Sequence, residues 1–179
     1  MNKKRIAIVV NANEEIGTGH IYRCISIASK LLSDDVLFLL DEKYPWSMDI
    51  VKSFNYPFKI YDGEDELFEL LKEYNPQIVV NDILDTSKEY VARQKELGFF
   101  VINFEDLGLG TEEADVVFDA LNEHDGGFGN IFSGHKYYIL KDEFYFQPTK
   151  VVAPEVNDVL LTFGGTDPNN LTEKVLDSV

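Results

Sequence analysis

The sequence predicts a doubly wound parallel α/β sheet, followed by the start of a second, separate unit. Three observations support this prediction. Short continuous apolar runs, typical of strands buried on both faces, recur along the chain. Between them lie segments whose apolar residues repeat at helical spacing. A last apolar run follows a proline-bounded stretch without periodicity, which favours a linker between two units.

The elements of the first unit follow one another as strand, helix, strand. Ile6–Val10 is apolar throughout, so it is predicted to be a central buried strand, and Pro76 ends a helix and opens the strand after it. In order, we predict a strand at 6–10, a helix at 20–32, a strand at 36–40, a helix at 48–54, a strand at 58–61, a helix at 65–74, a strand at 77–80, a helix at 87–97, and strands at 99–104 and 115–118. Residues 122–134 are glycine-rich and are predicted to form a surface loop.

The remaining boundaries divide the chain into three parts. Residues 1–145 form the first lobe, 146–157 a linker, and 158–179 the start of a second lobe. A strand at 158–163 with one following helix cannot cover its own faces and edges. We therefore expect the chain to be the amino-terminal part of a two-lobed protein. The alternative is that residues 158–179 complete the first sheet.

Composition excludes several classes of function. The chain carries 32 acidic and 16 basic residues, a formal charge of −16, which disfavours binding to nucleic acid. The single cysteine, Cys24, excludes a disulfide framework and a multi-thiolate zinc site. The three histidines show no metal-binding spacing; they are His20, His124 and His135. The apolar run that follows the basic residues at the amino terminus is too short for a signal peptide or a membrane span, so we expect a cytoplasmic protein.

Polar residues follow the strands that meet where the winding of the sheet would reverse. With strand order 3-2-1-4-5, that point lies between the first and fourth strands, and ligands of such sheets bind beyond the carboxyl ends there. Asn13 follows the first strand, Asp82 the fourth, and Glu105 and Asp106 the fifth. These side chains are candidates for contacts to a substrate. Acidic residues at strand ends are also common as solvated loop ends or helix caps.

The loop after the first strand carries the richest pattern. Gly17, Thr18 and Gly19 precede a helix, and glycines there let a ligand approach the free N–H groups of the helix start. His20 lies in the first helical turn, where the helix dipole disfavours the imidazolium, so it is a candidate general base. Arg23 requires an anionic partner so near the positive end of a helix. An ordinary glycine turn with a capping histidine is the alternative interpretation.

Several ordered motifs resemble one known family. They are Ile16–Cys24 (IGTGHIYRC), Phe104–Gly108 (FEDLG), Tyr138–Phe144 (YILKDEF) and Phe163–Asn170 (FGGTDPNN), together with Ala114–Asp115 leading to Ala120–Asn122. The chain resembles the UDP-sugar hydrolases of the pseudaminic acid pathway, a branch of nonulosonic acid biosynthesis. It is more similar still to their relatives named spore coat polysaccharide biosynthesis proteins.

The resemblance implies a GT-B-like architecture, related to MurG-type glycosyltransferases, with two Rossmann-like lobes and a cleft between them. It implies that His20 activates water against the anomeric carbon of a UDP-sugar. It also implies that the loop at Gly164, Gly165 and Thr166 opens the second, nucleotide-binding lobe. This mechanism needs neither a metal nor another cofactor. Two alternatives stay open, a GT-B glycosyltransferase of surface or spore coat polysaccharide and a non-catalytic nucleotide-sugar-binding lobe.

Overall fold

The fold is a seven-stranded, all-parallel sheet with helices on both faces. The structure is a computed structural model that describes residues 3–12, 17–123, 129–152, 154–163, 167 and 169–178. The strands run in the order β3-β2-β1-β4-β5-β6-β7 across the sheet. They are β1 (Arg5–Val10), β2 (Asp35–Asp41), β3 (Phe58–Tyr61), β4 (Ile78–Asp82), β5 (Phe100–Phe104), β6 (Val116–Asp119) and β7 (Ile131–Ser133). The predicted fold class, including the reversal between β1 and β4, is confirmed.

Four helices cover the sheet in two pairs. They are α1 (Gly19–Ala28), α2 (Pro45–Ser53), α3 (Gly63–Tyr74) and α4 (Lys88–Glu96). A fifth helix, α5 (Leu171–Leu176), lies near the carboxyl terminus. Alternate residues of the strands point to opposite faces. Ile8 and its neighbours pack with α1 and α2, whereas Ala7 and Val9 pack with α3 and α4. Two separate apolar cores therefore hold β1 at the centre of the fold.

Hydrogen bonds anchor the chain where β1 ends. The fully buried hydroxyl of Ser47, on α2, accepts a hydrogen bond from the backbone N–H of Ala12 at 2.8 Å and lies 3.4 Å from its carbonyl oxygen. Unpaired buried backbone groups are costly, so this side chain stabilises the path of the loop that leaves β1. That loop leads to the glycine turn at the start of α1.

A second group of buried polar side chains lies between β4, β5 and α4. The amide of Asn81 donates to Gln94 and to Asn103, both at 2.9 Å, and the hydroxyl of Tyr90 donates to Asn81 at 3.1 Å. Because these side chains satisfy one another, they can be buried in the core without a large penalty. They fix the register of the two strands whose ends carry the candidate site.

Two regions differ from the sequence prediction. Residues 122–134 were predicted as a loop, but Ile131–Ser133 forms β7 and pairs in parallel with β6. Residues 158–163 were predicted as a buried strand, yet they adopt no regular structure and are mostly exposed. An apolar run becomes a strand only where another strand offers hydrogen-bond partners, and the described strands offer these residues none. The division at 146–157 stays a prediction.

The helices in the described ranges are all short. The longest, α3, has 12 residues, and none combines the length and apolar character that crossing a membrane requires.

Candidate active site

A cleft lies at the carboxyl edge of the sheet, at the predicted reversal point. It has a volume of about 830 Å³ and is bounded by the start of α1, by the loops after β4, β5 and β6, and by residues 138–144. Its polar lining comprises Gly17, Thr18, Gly19, His20, Tyr22, Arg23, Ser26, Glu105, Asn122, Lys141 and Glu143. Its apolar and aromatic lining comprises Leu84, Leu107, Leu121, Tyr138, Ile139, Leu140, Phe144 and Phe163.

Asp82 is the centre of the polar network beneath this cleft. It is the last residue of β4 and is fully buried. One carboxylate oxygen lies 2.5 Å from Nδ1 of His20 and 2.7 Å from a terminal nitrogen of Arg23, and the other accepts from Nε of Arg23 at 2.8 Å. Burial alone would raise the pKa of Asp82, but the hydrogen bonds and charges of His20 and Arg23 outweigh it and lower that pKa. Asp82 is therefore held as a carboxylate.

The contact with Asp82 determines the tautomer of His20. Both Nδ1 and the carboxylate oxygen carry lone pairs, so a separation of 2.5 Å requires a proton between them. Nδ1–H thus donates to Asp82, and the nearby Arg23 nitrogen at 3.2 Å is not the hydrogen-bond partner of Nδ1. In the neutral tautomer with this hydrogen bond, the free lone pair of the ring is on Nε2. A histidine held in this way by a carboxylate is the arrangement of a general base.

Arg23 joins the ends of two strands. Its guanidinium donates to Asp82 on β4 and, at 2.9 Å, to Glu105 directly after β5. Burial would lower the pKa of Arg23, but the hydrogen bond and charge of Asp82 and the charge of Glu105 overcome this effect and raise it. Asp82 and Glu105 are thus the anionic partners that a cation so near the start of a helix requires.

Glu105 has a strained backbone and a shared carboxylate environment. Its φ of 50° lies in the left-handed region, which is uncommon for a residue other than glycine. Its side chain accepts from the backbone N–H groups of Ala120 at 3.3 Å and Leu121 at 3.4 Å. Burial and a hydrogen bond with the carboxyl of Asp119 raise the pKa of Glu105. Glu105 thus ties the loops after β5 and β6 together at the floor of the cleft.

The glycine turn presents backbone groups to the cleft. Gly17 has a φ of 84°, a conformation that favours glycine, and no described atom lies within 4 Å of where a Cβ would be. Thr18 precedes α1 and makes no side-chain cap, and the first turn carries no acidic residue. The N–H groups at the helix start therefore face the cleft without a competing carboxylate from their own turn, which suits an anionic group.

The structure brings some predicted site residues together and separates others. His20, Arg23 and Glu105 line the cleft with the glycine turn, while Asp82 is outside the cleft lining and contacts His20 and Arg23. The expectation that Asp106 contacts a sugar is not supported by its position. Its side chain is buried and accepts from the backbone and the hydroxyl of Thr86.

Further hydrogen bonds to Asp106 come from Asn103 at 2.6 Å and from the backbone of Gly108 at 2.8 Å. We therefore assign Asp106 a structural role in shaping the loop after β5. The predicted contacts of Asn13 and of Gly164, Gly165 and Thr166 lie outside the described residues. Their roles stay predictions.

Residues of the segment 138–144 also line the cleft, although the sequence gives this segment no recognisable site role. Tyr22 and Lys141 line the cleft together, with the Lys141 ammonium 4.5 Å from the centre of the Tyr22 ring. Tyr22 follows His20 by two positions, so its presence beside the cleft could have been inferred from the helix start. The approach of Lys141 depends on tertiary folding and has no local signal.

Comparison with known proteins supports the fold. No protein-family model matches the chain. The sequence is 27% identical to an uncharacterized protein of Methanocaldococcus jannaschii, MJ1062, in an alignment covering 98% of this chain and 40% of that protein. The structure is similar to the crystal structure of Acinetobacter baumannii MurG, with a TM-score of 0.55 and 13% identity over 72% of this chain and 44% of MurG.

This likeness establishes a GT-B-like, Rossmann-type lobe, as the sequence motifs implied. The chain spans less than half the length of either relative.

Proposed function

We propose that this chain is the base-bearing lobe of an enzyme that transfers a glycosyl group from a nucleotide sugar, with His20 as the general base. The observation that carries the proposal is the short contact between Nδ1 of His20 and the buried Asp82, which leaves Nε2 as a proton acceptor at the cleft. The similarity of the fold to MurG, a GT-B protein, supports glycosyl transfer more directly than hydrolysis.

The proposed reaction moves one proton and one glycosyl group. Nε2 of His20 takes the proton of an acceptor hydroxyl, and the acceptor oxygen forms a bond to the anomeric carbon. The bond from that carbon to the diphosphate oxygen breaks, and the nucleoside diphosphate leaves with the electron pair. Asp82 stabilises the imidazolium that forms, as the carboxylate of a catalytic triad does. Arg23 holds Asp82 and Glu105 in place around the base.

Hydrolysis is the second candidate, and the sequence motifs favour it. Those motifs resemble UDP-sugar hydrolases that act on a deoxy-amino sugar, in which water takes the place of the acceptor hydroxyl. The same base and leaving group serve both reactions, so the residues described here do not separate them. On either proposal the substrate is a UDP-sugar, and the protein acts in the cytoplasm in the synthesis of surface, spore coat or nonulosonic acid polysaccharide.

Product analysis tests the proposal. The protein, with whatever coding sequence follows Val179 in its gene, is incubated with UDP-sugars in the presence and absence of candidate acceptors. Acceptor-dependent release of UDP with a new glycoside supports transfer. Release of UDP and free sugar without acceptor supports hydrolysis. Tight binding of a UDP-sugar with no conversion under either condition would contradict both and favour a binding lobe.

A further inference from the structure

The segment of residues 138–144 is a wall of the cleft that the proposed function does not use. Ile139 packs against the core on the α1 side of the sheet, and the Asp142 carboxylate lies 2.5 Å from the ammonium of Lys30, two residues after the end of α1. The ammonium of Lys30 also lies 6.0 Å from the centre of the Tyr145 ring. These contacts place the segment beside α1, and the Lys141 ammonium lies close to Tyr22 in the first turns of that helix.

Lys141 differs in its surroundings from the other cationic side chain of the cleft. Arg23 is neutralised by Asp82 and Glu105. Lys141 instead lies over the ring of Tyr22, and among the described residues no carboxylate is within ion-pair distance of its ammonium. Glu143 also lines the cleft but forms no ion pair with it. The ring restricts the position of the ammonium without neutralising its charge.

The charges along the cleft favour one placement of an anion. Glu105 carries its carboxylate at the floor, where a phosphate would meet a like charge. The start of α1 has no acidic residue in its first turn, and its N–H groups lie on the same helix as Tyr22. In a chain with a net charge of −16, a lysine at a cleft without a carboxylate partner in the described structure is well suited to an anionic ligand.

We propose that Lys141, positioned by Tyr22, binds the diphosphate of the nucleotide sugar. This inference rests on the proposed function and adds an orientation to it. The diphosphate lies toward Lys141 and the glycine turn, and the sugar lies toward Glu105, so that the anomeric carbon faces His20. Lys141 is then a specificity-determining residue, because its positive charge increases the affinity for an anionic ligand and not for a neutral one.

A matched pair of lysines tests the proposal. Lys141→Met removes the charge at the cleft. Lys136→Met removes an equivalent charge outside the cleft lining, from a lysine 4.9 Å from the ring centre of Tyr137. Binding of inorganic diphosphate, UDP and uridine to the 179-residue chain is measured by NMR titration at low ionic strength. We expect Lys141→Met to weaken diphosphate and UDP binding about tenfold, the effect of one charged hydrogen bond. Uridine binding and the Lys136→Met variant should be unaffected.

Each outcome decides the proposal. Equal diphosphate affinities of the two variants would overturn it, as would a loss of uridine binding that matches the loss of UDP binding. The base assignment is tested separately. Full turnover by a His20→Ala protein would refute the role of His20 as base, but it would not change the effect of Lys141→Met on diphosphate binding. Circular dichroism checks that each variant folds.

Discussion

Nδ1 of His20 lies 2.5 Å from the carboxylate of Asp82, which has no exposure to solvent. The two residues are 62 positions apart in the sequence, and they meet because β1 and β4 are neighbours at the centre of the sheet. The start of α1 and the end of β4 therefore share one edge. The contact with Asp82 orients the ring of His20, which the proposed function uses as a general base.

Replacing His20 by alanine should remove the base. Turnover by the protein carrying any sequence beyond Val179 should fall by about 10²-fold or more, the range for loss of a general base. The rate of UDP release from a UDP-sugar measures the effect. His135→Ala is the control, because His135 is exposed and lies outside the cleft lining. Unchanged UDP release by the His20 variant would refute the mechanism.

Replacing Asp82 by asparagine should disorient the ring and leave Arg23 partly unpaired. We expect turnover to fall by about 10² to 10⁴-fold, as when the carboxylate of a triad is removed. The variant should also be less stable at neutral pH, since breaking a buried ion pair leaves a buried charge. Asp35→Asn, which breaks an exposed pair with Lys3, should have little effect on either quantity.

The stability loss in Asp82→Asn should depend on pH. The pKa of Asp82 is lower in the folded protein than in the unfolded chain. Its carboxylate therefore contributes to the free energy of unfolding above the unfolded pKa of about 4, and this contribution disappears as pH falls through the folded pKa. Thermal unfolding midpoints of wild type and variant should therefore converge below about pH 4. A gap that stays constant from pH 7 to pH 3 would show that the carboxylate is not the source of the difference.

Glu105 should show the opposite dependence on pH. Burial and the carboxyl of Asp119 raise its folded pKa, so the folded state favours the protonated form of Glu105 more than the unfolded state does. The contribution of protonated Glu105 to the free energy of unfolding is complete below the pKa of Glu105 in the unfolded chain. It is lost as pH rises through the folded pKa. Relative to Glu105→Gln, which keeps the protonated shape, wild type should lose stability from about pH 4.5 toward neutral pH.

Urea unfolding at several pH values measures this difference. Glu69→Gln is the control, since Glu69 is exposed and pairs only with Lys72 in the described structure. A wild-type advantage that grows with pH would contradict the prediction.

A side chain at position 110 should destabilise the protein, because no space is left beside Gly110. A Cβ there would lie 2.0 Å from the hydroxyl of Thr86 and 2.7 Å from a methyl of Val91. Gly110→Ala should destabilise the protein by about 1–3 kcal/mol or more, the cost of overpacking a core. Gly129→Ala is the matched control, because no described atom lies within 4 Å of its Cβ position. Chemical denaturation compares the two, and equal midpoints would be inconsistent with the packing described around α4.

The central elements could be predicted from sequence because their patterns are set by burial on both faces. Ile6–Val10 is apolar throughout since β1 has a neighbour on each side and a helix layer on each face. The short β7 could not be predicted, because three residues beside a glycine-rich segment have no detectable period. Residues 158–163 are the opposite case. They have the apolar composition of a strand, but they pair with none of the described strands and form no regular structure.

For the candidate site, the sequence indicated the edge but not every role. His20, Arg23 and Glu105 were selected by their positions at strand and helix ends, and all three line the cleft. Asp106 follows Glu105 directly and has the same chemistry, yet it turns inward to Thr86. The left-handed backbone at Glu105 separates the directions of the two side chains, and no residue type in that stretch signals it.

The bridge made by Arg23 has a consequence for engineering this protein. Buried ion networks can often be exchanged for apolar side chains with a gain in stability. Here the same guanidinium fastens the ends of β4 and β5 and supports the partner of His20. Selection for thermal stability alone would therefore favour apolar replacements of Arg23 that lower the proposed activity. Such variants should be more stable than the wild type but catalytically inactive.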